Sequence, residues 1–164
     1  MPICLIDLYC RIFCSLSPRF IMPQTAQTMI AAARACVGTP FHHQGRCAGV
    51  GLDCIGLVIH AARAAGMVVQ DRTDYGLRPD GQSLARALET HGARRIDVFD
   101  AGDILLFRYD RQPQHVALAT STETMIHSFA PARCVVETLI SDYWKRRLVG
   151  AWRVAGEGTE GRSI

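Results

Sequence analysis

From position 25 the chain reads TAQTMIAAARACV, and Met29, Ile30, Ala33 and Val37 recur three and four residues apart, the spacing of one helix face. The pattern predicts a helix over 25–37, with Thr25 as its N-cap and Gly38-Thr39-Pro40 as its stop. A second helix is predicted over 54–65. Ile55, Leu57, Val58, Ala61, Ala62 and Ala65 give it a wide apolar face, and Gly66 follows as a left-handed terminator. Between the two, FHHQGRCAGVGLD (41–53) contains three glycines and reads as a loop. A short helix over 83–90 is capped by Ser83 and closed by Gly92. Beyond it the period changes to two, predicting strands over 103–109, 115–120, 125–129, 134–139 and 149–154, joined by short turns. Helices first and antiparallel strands afterwards make an α+β domain: N-terminal helices on a sheet of about five strands.

A length of 164 residues suits one domain, and 49% hydrophobic with 20% charged residues excludes a disordered or fibrous chain. The division expected is an extension or overcalled start over 1–21, one folded domain over 22–155 and a flexible tail over 156–164. The apolar run 3–14 is broken by Asp7 and Arg11 and is too short to span a bilayer, so no transmembrane segment is expected. It has neither a basic leading region nor a small-residue cleavage site, which argues against a secretory signal and leaves an atypical export signal as the rival. Net charge is only +3, the basic residues are scattered, and nucleic acid is not an expected partner. Seven cysteines without a C-x-x-C pair spell neither a zinc ribbon nor a thioredoxin motif, and most read as small buried hydrophobes.

Cys54 is the exception. A glycine-rich loop delivers it to the first turn of an apolar helix, where unpaired N–H groups and the helix dipole favour a thiolate and can hold an oxyanion. Asp53 fits the N-cap position. A nucleophilic sulfur needs a base. His60 lies six residues along the helix, about 120° round and about 9 Å up, and is excluded. His42 and His43 in the preceding loop stay open. His91 is read as a cation at a helix end. His115 and His127 are more informative. A hairpin of HVALAT and MIHSF over a three-residue loop at 120–122 pairs 119 with 123, 117 with 125 and 115 with 127, which sets the two imidazoles side by side on one sheet face. One ring then accepts the thiol proton while the other orients it. A one-residue slip would separate them. Zinc held by Cys54, His115 and His127 is the competing use, though no short-spaced ligand pair supports it.

GTPFHHQGRCAGVGLDCIGLV, then DAGDILLF, HVALAT and MIHS, resemble the NlpC family of papain-like cysteine peptidases in order and spacing across 39–154. The resemblance implies a papain-like fold and hydrolysis of peptidoglycan stem peptides, often beside γ-D-glutamyl linkages to a diamino acid, without cofactor or metal. It implies Cys54 as nucleophile, His115 as base and His127 as the residue orienting it. Asp53, Phe41 and His43 are carried as substrate-binding residues, Asp53 toward a free amino end of the peptide. Three positions depart from the family pattern: Phe41 stands where a tyrosine is usual, Ile55 where serine is common, and the turn at 120–124 lacks glycine. The His-Gln-Gly segment and YGLRPDGQSL resemble the branch found with phage tails and gene-transfer agents. This implies tail proteins as partners, synthesis in the cytoplasm and action at the cell wall or periplasm. The rival functions are a catalytically weak tail-assembly component on the same fold, and an acyltransferase.

Overall fold

Pro23 opens the first helix, α1 (Gln24–Ala35), without any side-chain cap. Thr25 therefore lies inside the helix, not at its cap as its residue type suggested. This computed structural model describes residues 22–71, 73, 75, 76 and 82–154. The expectations for 1–21 and 156–164, and part of YGLRPDGQSL, lie outside the described residues. A two-stranded ribbon, β1 (Arg46–Cys47) with β2 (Gly51–Leu52), forms within the glycine-rich segment that had read as plain loop. Then come α2 (Cys54–Ala64) and α3 (Ser83–Thr90). In α3 the cap position belongs to Gln82, which leaves Ser83 within the first turn. The strands follow: β3 (Arg94–Ile96), β4 (Ile104–Tyr109), β5 (Gln112–Ala119), β6 (Thr124–Phe129), β7 (Cys134–Leu139) and β8 (Leu148–Arg153). A four-residue helix, α4 (Asp142–Lys145), precedes the last strand.

The six strands form one antiparallel sheet in the order β3-β8-β4-β5-β6-β7. Five were legible in the sequence. The sixth, β3, is a three-residue edge strand whose RRI carries no alternation. The central strands are buried on both faces, so Ile104, Leu105, Leu106 and Phe107 are all inside. That is why ILLF and VALA are continuous apolar runs and not the strict alternation of a half-exposed strand. One face, with Ile104, Leu106, Val116 and Leu118, packs on Met29, Ile30 and Ala33 of α1 and on Leu57, Val58 and Ala61 of α2. The other, with Leu105, Phe107, Ala117 and Met125, is closed by Ile140 and by Trp144 of α4.

Two fixtures tie the segment before α2 to the sheet. Gly38 N–H donates to the Val135 carbonyl (2.9 Å) and Val135 N–H to the Thr39 carbonyl (2.8 Å), joining the end of α1 to β7. The Ser128 hydroxyl donates to the Leu52 carbonyl at 2.6 Å, anchoring β6 to the loop that leads into the helix. Buried Asp103 receives Arg153 through two hydrogen bonds of 2.8 and 2.6 Å, so the Gly-Asp pair is a staple between the start of β4 and β8.

Candidate functional site

Asp53 caps α2 as the sequence suggested: its extended backbone precedes the helix, and its carboxylate accepts the Gly56 N–H at 2.7 Å. The same carboxylate also accepts the Gln44 N–H (2.8 Å), Arg46 Nη1 (3.1 Å) and the Tyr75 hydroxyl (2.5 Å). Arg46 in turn bridges Tyr75 and Asp71. Asp53 is 3% exposed, so these donors offset the cost of burying its charge. A substrate amine reaches it only in exchange for one of them. The network fixes the first turn of α2, and with it Cys54.

His115 and His127 share one side of the sheet, but not in the register the spacing suggested. β5 and β6 pair 118 with 126 and 119 with 125, two positions away from 119 with 123. The cause is the turn, in which residues 120–123 separate the strands in place of 120–122. Thr120 N–H donates to the Thr124 carbonyl (2.9 Å), and Ser121 Oγ accepts the Glu123 and Thr124 N–H groups at 3.0 Å each. A shift of two preserves the face. The imidazoles become diagonal neighbours, still within reach of one another. His115 Nε2 and His127 Nδ1 lie 2.8 Å apart, and His127 Nε2 lies 3.2 Å from Thr138 Oγ1 on β7.

An aromatic enclosure surrounds the pair. His115 stacks on Trp144 (5.6 Å, 28°), His127 stacks on Phe129 (5.0 Å, 16°), and Trp144 meets His127 edge-on at 4.9 Å. His115 is 5% exposed and His127 is fully buried. Burial, reinforced by the neighbouring ring, pushes His115 down to about 3, and burial alone pushes His127 down to about 4. Both rings are neutral at physiological pH.

Cys54 approaches from the helix side of the sheet. The β5–β6 ladder is paired only at 118/126 and 119/125, and the strands part toward His115. At this opening the backbone N–H groups of Val116, Ile55 and Cys54 itself act on the sulfur. These N–H groups favour the thiolate, but burial and the Asp53 charge outweigh them and push the thiol up to about 12. Burial and the neighbouring carboxylate thus work against the thiolate that the helix N-terminus favours. Cys54 and His115 line one cavity of about 920 Å³, together with Phe41, His43, Asp53 and Tyr109. The hydrogen bonds of His115 go to His127, and its Nδ1 has no partner among the described residues.

The remaining histidines sort themselves. His42 turns Nδ1 to the His43 carbonyl (3.1 Å), and His43 meets the Tyr75 ring at 5.6 Å. His91 joins the cavity wall, as do Leu88 and Ala93 of the α3–β3 corner, and His60 does not line the cavity. Among the described residues no group of three or more His, Cys, Asp or Glu side chains is arranged to hold a metal ion. Sequence reasoning missed Thr138, Trp144, Tyr75, Arg46 and Tyr109. Among the described residues the Tyr109 hydroxyl alone is a side-chain polar atom wholly shut off from solvent without a partner.

Known proteins share this fold. The NlpC/P60 family model matches residues 38–153. Over 105 residues the chain is 27% identical to the murein DD-endopeptidase MepS/murein LD-carboxypeptidase of Escherichia coli strain K12, covering 63% of this chain and 50% of that protein. The chain thus spans about half the length of its curated relative. A crystal structure described as similar to a lipoprotein of the NLP/P60 family, from Staphylococcus aureus, superimposes with a TM-score of 0.63 at 22% identity, over 91% of this chain and 48% of that one. RipD of Mycobacterium tuberculosis, described as a non-catalytic domain adapted to peptidoglycan binding, has a TM-score of 0.55 at 19% identity, over 82% of this chain and 100% of that one. The fold is shared with proteins that differ in whether they catalyse. The matched stretch begins just after α1, holds the thiol, both imidazoles and every strand of the sheet, and assigns the chain: it belongs to the NlpC/P60 family.

Proposed function

We propose that the protein is a cysteine peptidase that hydrolyses amide bonds in peptidoglycan stem peptides. The observation that carries the reading is a thiol on the first turn of α2 sharing one cavity with His115, whose far nitrogen lies 2.8 Å from His127. Because burial favours the neutral forms of both thiol and imidazole, proton transfer accompanies attack in this reading. Cys54 Sγ bonds to the carbonyl carbon as its proton passes to His115 Nδ1, and the carbonyl electron pair moves onto oxygen. Backbone N–H groups at the start of α2 are the donors this reading offers to that oxyanion. Collapse breaks the C–N bond, and the leaving amine takes the proton from His115. Water, deprotonated by the same ring, then cleaves the thioester and restores the thiol. His127 keeps His115 in place throughout and stabilises its charged form.

The bond attacked is, in this reading, the γ-D-glutamyl linkage to the diamino acid, which the family resemblance favours. Phe41 and His43 form the cavity wall around the substrate. The similarity of the segment around Tyr75 to tail-associated members supports action at the cell wall from a phage-like tail. Mass spectrometry of purified particles finds the chain there if this is right and misses it if it is wrong. Digestion of purified peptidoglycan by the wild type and by Cys54→Ala tests the activity. Soluble muropeptides are expected from the wild type alone, and equal release by both overturns it. Phe41, which lacks the hydroxyl usual at its position, favours a second reading: a catalytically weak wall-binding or tail component. Peptidoglycan that is bound but not cut is the outcome that reading requires.

A further inference from the structure

Resting on the peptidase reading and deepening it, we infer that Thr138 is a positioning residue: its hydroxyl sets the tautomer of His127 and thereby decides which nitrogen of His115 is the base. The His127 ring is fully buried, stacked on Phe129 and edged by Trp144, so its plane is fixed. Its two nitrogens face only His115 Nε2, at 2.8 Å, and Thr138 Oγ1, at 3.2 Å. Thr138 reaches it from β7 because that strand pairs 127 with 136 and 125 with 138, which puts Thr138 diagonally beside His127 on the same face.

A neutral imidazole carries one N–H and one lone pair, so the chain of three groups has two self-consistent arrangements. In one, Thr138 donates to His127 Nε2, His127 Nδ1–H donates to His115 Nε2, and His115 presents an N–H at Nδ1. That ring cannot accept the proton of Cys54. In the other, His115 Nε2–H donates to His127 Nδ1, His127 Nε2–H donates to Thr138 Oγ1, and the Nδ1 lone pair of His115 is free. Only the second arrangement serves as a base. It is also the only one compatible with the His115 imidazolium formed during attack, whose Nε2–H requires an acceptor at His127 Nδ1. Thr138 must therefore accept, and it turns its own proton toward solvent at its half-exposed position.

Thr138→Val keeps the shape and removes the acceptor, and Thr138→Ser keeps the acceptor. Imidazole nitrogen NMR of the wild type is expected to show His127 protonated at Nε2. In Thr138→Val the proton moves toward Nδ1, kcat falls roughly tenfold or more with KM little changed, and Thr138→Ser restores both. Protonation of His127 at Nδ1 in the wild type overturns the inference. So does a Thr138→Val protein with unchanged tautomer and kcat, or an equal loss in the Val and Ser variants, which marks a packing role. Because the NMR signal needs no turnover, a wild type that releases no muropeptides sinks the peptidase reading alone, and the tautomer is still read.

Discussion

The Cys54 thiol resists ionisation because a half-buried sulfur, desolvated beside the Asp53 carboxylate, gains more from staying neutral than the neighbouring backbone N–H groups give back. A thiol pushed up to about 12 is protonated across the physiological range, and its reactive form grows about tenfold per pH unit. Site-resolved iodoacetamide labelling is therefore expected to show Cys54 slower than exposed Cys47 at pH 8, with a rate still climbing past pH 9. A plateau below pH 7 would reveal a preformed thiolate–imidazolium pair instead. What the sequence conveyed at this scale was contiguous: Asp53, Cys54 and the glycine loop lie in a row, so the cap and the candidate nucleophile beside it were readable. The ionisation state was not, because it depends on Val116 and on burial contributed by residues far along the chain. Thr138 escaped for the same reason. A threonine in CVVETL matches nothing until β7 is laid beside β6.

The N-terminus of α2 works only if the glycine loop packs flush against it, and Gly56 is where they touch. A Cβ there collides with the Gly45 carbonyl, a backbone atom that cannot turn aside. Gly56→Ala is expected to cost about 2 kcal/mol, read as a lowered urea midpoint, and to lower muropeptide release by displacing Cys54 even where the fold survives. An unchanged midpoint would mean that the loop yields freely. Elements were legible where periodicity spans several turns or strands, as in α1, α2 and the five longer strands. The short ones were not: α4 is four residues within SDYWKRR, yet it delivers Trp144, and β3 has only three. The register was missed by two because hydroxyls of Thr120, Ser121 and Thr124, and not a glycine pair, shape the turn. The shared face survived because two is the period of a strand.

For the molecule as a whole, assembling this site narrows the pH range of stability from both sides. His115 and His127 titrate near 6.5 in the unfolded chain and at about 3 and 4 when folded, so below pH 6.5 the unfolded state binds more protons. Their contribution is complete above 6.5 and is lost as pH falls toward 4, at up to about 1.4 kcal/mol per pH unit for each ring. Cys54 acts in the opposite sense. Its thiol pKa, 9.0 when unfolded and about 12 when folded, gives a contribution that is complete below 9 and lost as pH rises beyond it. The hydroxyls of Tyr75 and Tyr109, also pushed up by burial, add to that loss only above pH 10. Urea midpoints measured from pH 4 to 10 should form a plateau between about 6.5 and 9 with a fall on each side. Replacing both histidines by glutamine should flatten the acid limb, and Cys54→Ala should flatten the step between 9 and 10, each leaving the other limb in place. An acid limb that persists in the double-glutamine variant would mean that carboxylate pairs such as Arg34–Glu137 govern it, and that the imidazoles are less deeply desolvated than their aromatic enclosure requires.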